Sequence, residues 1–200
     1  MLPRRLVLMF GAATLAATTA PITARAQSAA DAASFVKATG GQLVQTVNGS
    51  GSTEQKAQEM AKIIDTRVDV NGIARFCLGR FWQVATPDQQ KQYLDLFHRV
   101  LVRSIDSKIG EYKGVSFAVG RTVNREEGQL VSTIITRPGQ APSDVDWLIK
   151  QVDGSPKIID VIAEGTSLRL TQRSDYSSFI VHNNESVQAL LDALKKQVSS

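Results

Sequence analysis

Apolar residues recur at spacings of three and four through the first half of the chain, which is the period of an amphipathic helix. This pattern predicts a first helix over residues 31–47, ended by a turn rich in glycine and serine. A second helix is predicted to begin at Ser52 or Thr53. A short third helix is predicted to follow Asp69 and to stop at Gly79.

The clearest helix start in the sequence is the segment Thr86-Pro87-Asp88-Gln89. It combines an N-cap hydroxyl, a proline in the first turn and the glutamine of a capping box. The helix that follows carries apolar residues at Tyr93, Leu94, Leu96, Phe97, Val100, Leu101, Ile105 and Ile109. This stripe is wider than a simple surface helix needs to cover a core.

From Gly114 the period of the apolar pattern changes to two, which predicts β-strands. The predicted strands are residues 115–122, 130–137, 145–152 and 157–163, with a further short strand at 167–170. Short connections join the four long strands, so they should form an antiparallel meander. Two helices follow, one around residues 176–180 and one from Ser186. Helices grouped around one antiparallel sheet make the predicted fold class α+β.

The first 26 residues have the three parts of a bacterial secretory signal peptide. Arg4 and Arg5 give a positive start, residues 6–17 are mostly apolar, and Ala24-Arg25-Ala26 fits a cleavage site. The apolar run is too short to span a membrane. We therefore expect a cleaved leader over residues 1–26, one mature domain over residues 27–200 and a periplasmic location. The general export pathway is expected, and the paired arginines leave the twin-arginine pathway open.

Charge and motif content narrow the function further. The chain of 200 residues has a net charge of +4, but residues 27–200 hold 20 basic and 19 acidic residues. This balance argues against nucleic acid as a partner. Cys77 is the only cysteine, which excludes an intramolecular disulfide. Common catalytic motifs are absent from the sequence, and His98 and His182 are isolated, so we expect no metal and no cofactor.

Two segments of the sequence resemble a known protein family. The first, residues 68–82, reads VDVNGIARFCLGRFW and precedes the capped helix start at Thr86. The second, residues 159–168, reads IDVIAEGTSL and precedes Gln172-Arg173. In combination they resemble the MlaC-like, or toluene-tolerance, family of periplasmic phospholipid-binding proteins of the Mla lipid-transport pathway. The resemblance extends over about residues 31–195, almost the whole predicted mature chain.

The resemblance implies a curved, cone-shaped antiparallel sheet like that of nuclear transport factor 2, with helices packed over its concave face. Acyl chains of a phospholipid would enter between the helices and the sheet. The residues that would contact lipid are Phe76, Trp82, Leu94, Phe97, Leu101 and Ile105 from the helices, and Ile134, Val145, Trp147 and Ile149 from the sheet. Two acyl chains hold on the order of 30 methylenes at ~0.8 kcal/mol each, so apolar walls suffice.

The resemblance also implies partners. A soluble, monomeric carrier would pass phospholipid between an inner-membrane ABC-type transporter complex and an outer-membrane complex of a lipoprotein and a porin. A hopanoid-associated lipid-binding relative would share the architecture. Two other classes stay open: an enzyme of isomerase or hydrolase type using Asp146, Asp160 or Tyr93, and an interaction module without a ligand. Because these candidates form no organised pair, we expect a carrier rather than an enzyme, with Asp160 and Arg75 in structural roles.

Overall fold

The computed structural model of the protein describes residues 20–107 and 109–199. Of the predicted leader, residues 1–19 lie outside the described residues, and the predicted cleavage point after Ala26 falls within the first helix. The helices of the N-terminal half are α1 (Ala20–Asn48), α2 (Thr53–Arg67), α3 (Val70–Leu78), α4 (Phe81–Val84) and α5 (Pro87–Asp106), and a 3₁₀ turn follows at Ile109–Tyr112.

Three of these helices begin where the sequence predicts. The Ser52 hydroxyl accepts a hydrogen bond from the Gln55 backbone N–H, and the Gln55 side chain accepts one from the Ser52 N–H. Thr86 and Gln89 form the same capping box at the start of α5, and the Asp69 carboxylate caps α3. Each cap satisfies backbone donors that the helix itself leaves unpaired, which stabilises the helix by about 1 kcal/mol.

The one-turn helix α4 is not predicted by the sequence. Gly79 ends α3 with a φ of 57°, a left-handed conformation that favours glycine. The chain then turns directly into α4, where Phe81 is buried. Four residues are too few to show a helical period, which is why the apolar pattern does not reveal this element.

The sheet has five antiparallel strands in the order β1-β2-β3-β4-β5, which confirms the predicted meander and the α+β class. The strands are β1 (Ser116–Arg125), β2 (Gly128–Thr136), β3 (Ser143–Val152), β4 (Ser155–Ala163) and β5 (Thr166–Ser167). The pairing register shifts between Val119 and Thr122 in β1 and between Leu148 and Ile149 in β3. Irregularities of this kind bend strands and increase twist, which favours a curved sheet.

The predicted strand over residues 167–170 is wrong beyond its first residue. Leu168 begins a helix, α6 (Leu168–His182), and the Ser167 hydroxyl caps it by accepting a hydrogen bond from the Leu170 N–H. Alternating apolar residues suggested a strand, but a serine N-cap on this segment favours the helix. The last helix, α7 (Val187–Ser199), begins directly after Ser186, as predicted.

Two apolar clusters form the core. The first, here called the sheet cluster, joins α1 to the sheet through Ala32, Phe35, Val36, Val131, Ile149 and Ile158. The second, here called the helix cluster, surrounds α5 and includes Ala74, Leu78, Tyr93, Leu96, Phe97, Tyr176, Ile180 and Leu191. Helix α1 packs on β1 and β2, whereas α5 packs mainly on α7, α3 and α2. The long apolar stripe of α5 therefore lies chiefly among helices.

Candidate functional site

The exposure of the apolar face of α5 changes along the helix. Tyr93 and Leu96 are 0% and 2% exposed, and Val100 is 9% exposed. Leu101 and Ile105 are only half-buried, although they pack against the same helix cluster. Leu94 is half-buried as well, but apart from Leu94 the stripe is buried through Val100 and becomes half-buried toward the C-terminal end of the helix.

Half-buried apolar residues of other elements pack against the helix cluster as well. We define the open end as the following set: Leu43 and Val44 of α1, Leu101, Val102 and Ile105 of α5, Tyr112, Ile135 of β2 and Val198 of α7. A set of apolar side chains that all keep part of their surface in water is suited to cover an apolar ligand.

Hydrogen bonds between elements hold this end of the molecule together. Arg103 of α5 donates to the Val198 carbonyl of α7 at 3.3 Å. The Asn48 side chain, at the end of α1, accepts from the Gly114 N–H at 2.7 Å and donates to the Val115 carbonyl at 3.0 Å. The last turns of α5 and α7 are thus linked to each other, and the end of α1 is linked to the residues that lead into β1.

Helix α1 approaches β1 closely at Gly40. A Cβ placed there would lie 2.4 Å from the ring of Phe117, which is far closer than two carbon atoms can pack. Phe117 pairs with Ile135 of the open end across β1 and β2. The absence of a side chain at Gly40 therefore lets α1 seat against the sheet beside the open end.

The predicted lipid contacts on α5 divide into two groups. Leu101 and Ile105 belong to the open end, and Leu94 is half-buried against the helix cluster. Phe97 is 6% exposed, and its ring centre lies 5.9 Å from that of Tyr93 and 6.4 Å from that of Tyr176. Phe97 is therefore part of an aromatic core at the closed half of the stripe.

Phe76 and Trp82 lie in a different setting from the open end. The Phe76 ring has the Arg169 guanidinium at 4.3 Å and the Arg173 guanidinium at 4.9 Å from its centre. Arg75 lies over Trp82 at 5.0 Å. Cations over aromatic faces stabilise the rings where they are. Both rings pack against the same helix cluster as Leu101 and Ile105, but arginines of α3 and α6 cover their faces.

Three of the four predicted sheet residues share one face. Val145, Trp147 and Ile149 alternate along β3, and Val145 and Ile149 are buried. The Trp147 indole N–H donates to the Thr133 hydroxyl at 2.9 Å, and that hydroxyl donates to the Val145 carbonyl at 2.8 Å. The polar atoms of Trp147 and Thr133 are thereby satisfied, and Trp147 and Ile149 pack in the sheet cluster with residues of α1.

The fourth predicted sheet residue, Ile134, lies on the opposite face, so the expectation that it shares a face with the other three is wrong. Thr133 pairs directly with Val145, and the next residue of a strand points the other way. Ile134 is 48% exposed there. Its neighbour Ile135 faces the helices and belongs to the open end. The sequence prediction was out of phase by one residue on β2.

Sequence reasoning missed several members of the open end. Leu43 and Val44 are visible as apolar positions of the first predicted helix, but nothing in a helical period shows which turn of α1 meets α5. Tyr112 lies between the last helix and the first strand, where no periodicity guides a prediction. Only tertiary packing brings these residues to the helix cluster that Leu101 also contacts.

Asp160 lies in the second of the two segments that carry the family resemblance and binds the start of α6. Its carboxylate accepts hydrogen bonds from the Ser167 hydroxyl at 2.6 Å and from the backbone N–H groups of Val161 and Arg169. The Arg169 Nε lies 3.3 Å from the same carboxylate, and Arg169 also pairs with Glu127. Asp160 is 5% exposed, so this is a buried structural centre, as the sequence predicts for this residue.

Cys77 and Tyr93 are both buried beside this centre. The Cys77 thiol donates to the Arg169 carbonyl at 3.5 Å, and burial raises the pKa of Cys77 to about 12. The Tyr93 hydroxyl donates to the Ala74 carbonyl at 2.9 Å, and burial raises the pKa of Tyr93 as well. Both groups are held in their protonated forms near neutral pH, which disfavours them as a nucleophile or a base.

Two surface clefts lie apart from the predicted lipid contacts. One, of about 540 Å³, is lined by Arg80, Phe81, Val84, Gln89, Glu185, Ser186, Val187 and Gln188. The other, of about 370 Å³, is lined by Gln42, Gln45, Thr46, Gly49, Gly51, Gln55, Lys56, Glu59 and Ile63. Neither lining contains any of the ten predicted contacts, and both contain many polar side chains.

Within residues 20–107 and 109–199, no helix is both long enough and apolar enough to cross a membrane. In the same ranges, no three or more His, Cys, Asp or Glu side chains are grouped so that they could hold a metal ion.

Comparisons with known proteins agree with the resemblance in the sequence. The profile of the family described as MlaC protein matches residues 37–196. The fold is similar to that of the phospholipid-binding protein from Ralstonia solanacearum, solved in complex with a phospholipid, with a TM-score of 0.74. The two chains are 22% identical, and the likeness covers 84% of this chain and 97% of that one. The family match spans most of the sequence, and the chain therefore belongs to the MlaC family.

Proposed function

We propose that this chain binds the acyl chains of a phospholipid at the open end and carries the lipid through the periplasm. The change along α5 from a buried to a half-exposed apolar stripe is the observation that carries the proposal. Removing apolar surface from water stabilises a complex by roughly 25 cal/mol per Å², so a lipid that covers the open end gains free energy there.

The acyl chains would enter at the open end and extend between the sheet cluster and the helix cluster. The proposed contacts are Leu94, Phe97, Leu101 and Ile105 on the helices and Val145, Trp147 and Ile149 on the sheet. Leu101 and Ile105 would meet the lipid first, because they are half-buried and belong to the open end. Phe76 and Trp82 are not among these contacts, since guanidinium groups already cover their rings.

Two further findings support binding rather than catalysis. The similarly folded Ralstonia solanacearum protein was solved with a phospholipid bound. Two of the three polar residues considered as catalytic candidates are engaged elsewhere: Asp160 in its buried ion pair and Tyr93 with the Ala74 carbonyl. An apolar ligand needs few polar groups, whereas an acid–base mechanism needs free ones.

Membership of the family and the predicted leader support a role in lipid transport. If residues 1–26 direct the chain to the periplasm, its partners would be an inner-membrane ABC-type lipid transporter complex and an outer-membrane lipoprotein–porin complex. A carrier that covers two acyl chains removes the barrier to moving them through water, which is ~20 kcal/mol gross for about 30 methylenes. We propose that it does so as a monomer.

Native mass spectrometry of the exported protein, purified without detergent, tests the proposal. We expect one diacyl phospholipid per chain, and Leu101→Asp should abolish it because a carboxylate against acyl chains loses its water. Ser104→Asp is the matched control, since it places the same charge on an exposed position of the same helix. A folded wild-type protein that carries no lipid would contradict the proposal, and extraction of the bound lipid would tell a phospholipid from a hopanoid.

A further inference from the structure

Arg137 lies directly after β2, two residues beyond Ile135 of the open end. Its guanidinium carbon is 5.1 Å from the centre of the Tyr112 ring, and Tyr112 packs against the helix cluster. Both side chains are half-buried. The stacking holds the planar guanidinium at the border between the apolar open end and water.

The charge of Arg137 is not neutralised by a side chain that the structure describes. Among the described residues, no carboxylate oxygen lies within 4 Å of its guanidinium, whereas the half-buried Arg169 pairs with both Asp160 and Glu127. Lys113, next to Tyr112 in the chain, is exposed and adds a second positive charge. Glu111 is also exposed in this segment and is the one acidic residue between positions 110 and 115.

We propose that Arg137, stacked on Tyr112, binds the phosphate of the phospholipid headgroup. The inference rests on the proposed function, since it assumes that acyl chains occupy the open end. A guanidinium presents two parallel N–H donors to phosphate oxygens, and stacking fixes the plane in which they lie. Arg137 follows Ile135 by two residues, or about 7 Å of extended chain, so a lipid whose chains contact Ile135 can reach the guanidinium with its phosphate.

The test compares two lipids with identical acyl chains, fluorescent phosphatidylglycerol and fluorescent diacylglycerol, taken up from phosphatidylcholine vesicles. Arg137→Gln is expected to weaken binding of phosphatidylglycerol about tenfold, the loss of one charge-assisted contact, and to leave diacylglycerol binding unchanged. Arg137→Lys keeps the charge but loses the two-pronged geometry, so an intermediate loss is expected for phosphatidylglycerol alone. Arg121→Gln, an exposed arginine of β1, is the matched control and should behave as the wild type.

The other possible results of this binding test show which part of the proposal is wrong. Equal losses for both lipids would mean that Arg137 only supports Tyr112, and no loss for either would mean that it does not touch lipid; both results overturn the proposal. If Arg137→Gln does not fold, Arg137→Lys makes the same comparison. Inorganic phosphate alone should bind too weakly to detect by calorimetry, and tight binding that Arg137→Gln removes would assign the site to free phosphate. A wild-type protein that takes up neither lipid would instead refute the proposed function.

Discussion

Asp160 shows how a short sequence motif can serve stability rather than ligand binding. Its buried carboxylate accepts three hydrogen bonds and faces the Arg169 guanidinium. Removing the charge of one member of a buried pair leaves the other without compensation. The motif residues around Asp160 therefore hold β4, β5 and α6 together, apart from the open end where we propose that the ligand binds.

We predict that Asp160→Asn lowers the free energy of unfolding by about 2–4 kcal/mol, because the amide cannot replace the charge and one of its positions becomes a donor. Urea denaturation of the lipid-free protein measures the change. Asp144→Asn, on the exposed part of β3, is the control and should stay within about 0.5 kcal/mol of the wild type. An Asp160→Asn variant as stable as that control would show that the buried pair contributes nothing.

Cys77 gives a prediction on pH. Burial raises the pKa of its thiol to about 12 in the folded protein, whereas an unfolded thiol has a pKa of about 8.5. The unfolded state therefore loses this proton first, so the stabilisation is complete below about pH 8.5 and is lost as the pH rises toward 12. The thiolate absorbance of the native protein, taken as the difference from Cys77→Ala, should stay absent at pH 9. Thiolate absorbance at pH 9 in the folded protein would show that the thiol is accessible to water.

At the scale of elements, α5 carries buried core residues and the residues that we propose as a ligand-binding surface in one apolar stripe. Leu96 is enclosed by the helix cluster, whereas Leu101 is half-buried at the open end. A leucine that is surrounded on all sides leaves a cavity when it is truncated, but one beside a ligand site leaves less. The two residues therefore offer a direct comparison within one helix.

We predict that Leu96→Ala costs ~2–5 kcal/mol of unfolding free energy with or without lipid, while Leu101→Ala costs about 1 kcal/mol in the lipid-free protein. Leu101→Ala should also lose part of the stabilisation that added lipid gives, because that gain depends on affinity. Thermal unfolding of both variants, each with and without phospholipid, gives the four unfolding free energies to be compared. Equal losses for the two variants and an unchanged lipid effect would place Leu101 in ordinary core.

Helix starts could be predicted from the sequence because they depend on nearby residues. The capping boxes at Ser52 and Thr86 act within four residues and form as expected. The phase of β2 could not be predicted in the same way, since Leu130, Val131, Ile134 and Ile135 fit either face. Only the pairing of Thr133 with Val145 decides that Ile135 faces the helices.

At the scale of the whole molecule, the sequence predicted the order of helices and strands but not which parts of the stripe stay open. Phe76 was placed among lipid contacts because it is apolar, yet Arg169 and Arg173, more than 90 residues away in the chain, cover its ring. Long-range packing of this kind is invisible to local periodicity. It separates the stabilising centre around Asp160 from the open end.

The placement of acyl chains at the open end is the central claim, and photo-crosslinking tests it most directly. Phosphatidylcholine that carries a diazirine on one acyl chain is loaded into the wild-type protein, and the complex is irradiated. Mass spectrometry then identifies the labelled peptides. We predict labels on peptides that contain Leu43, Leu101, Ile105 or Ile135. Labels confined to Leu168 and Leu170, the exposed leucines at the start of α6, would show that the lipid only adsorbs to the surface and would contradict the account.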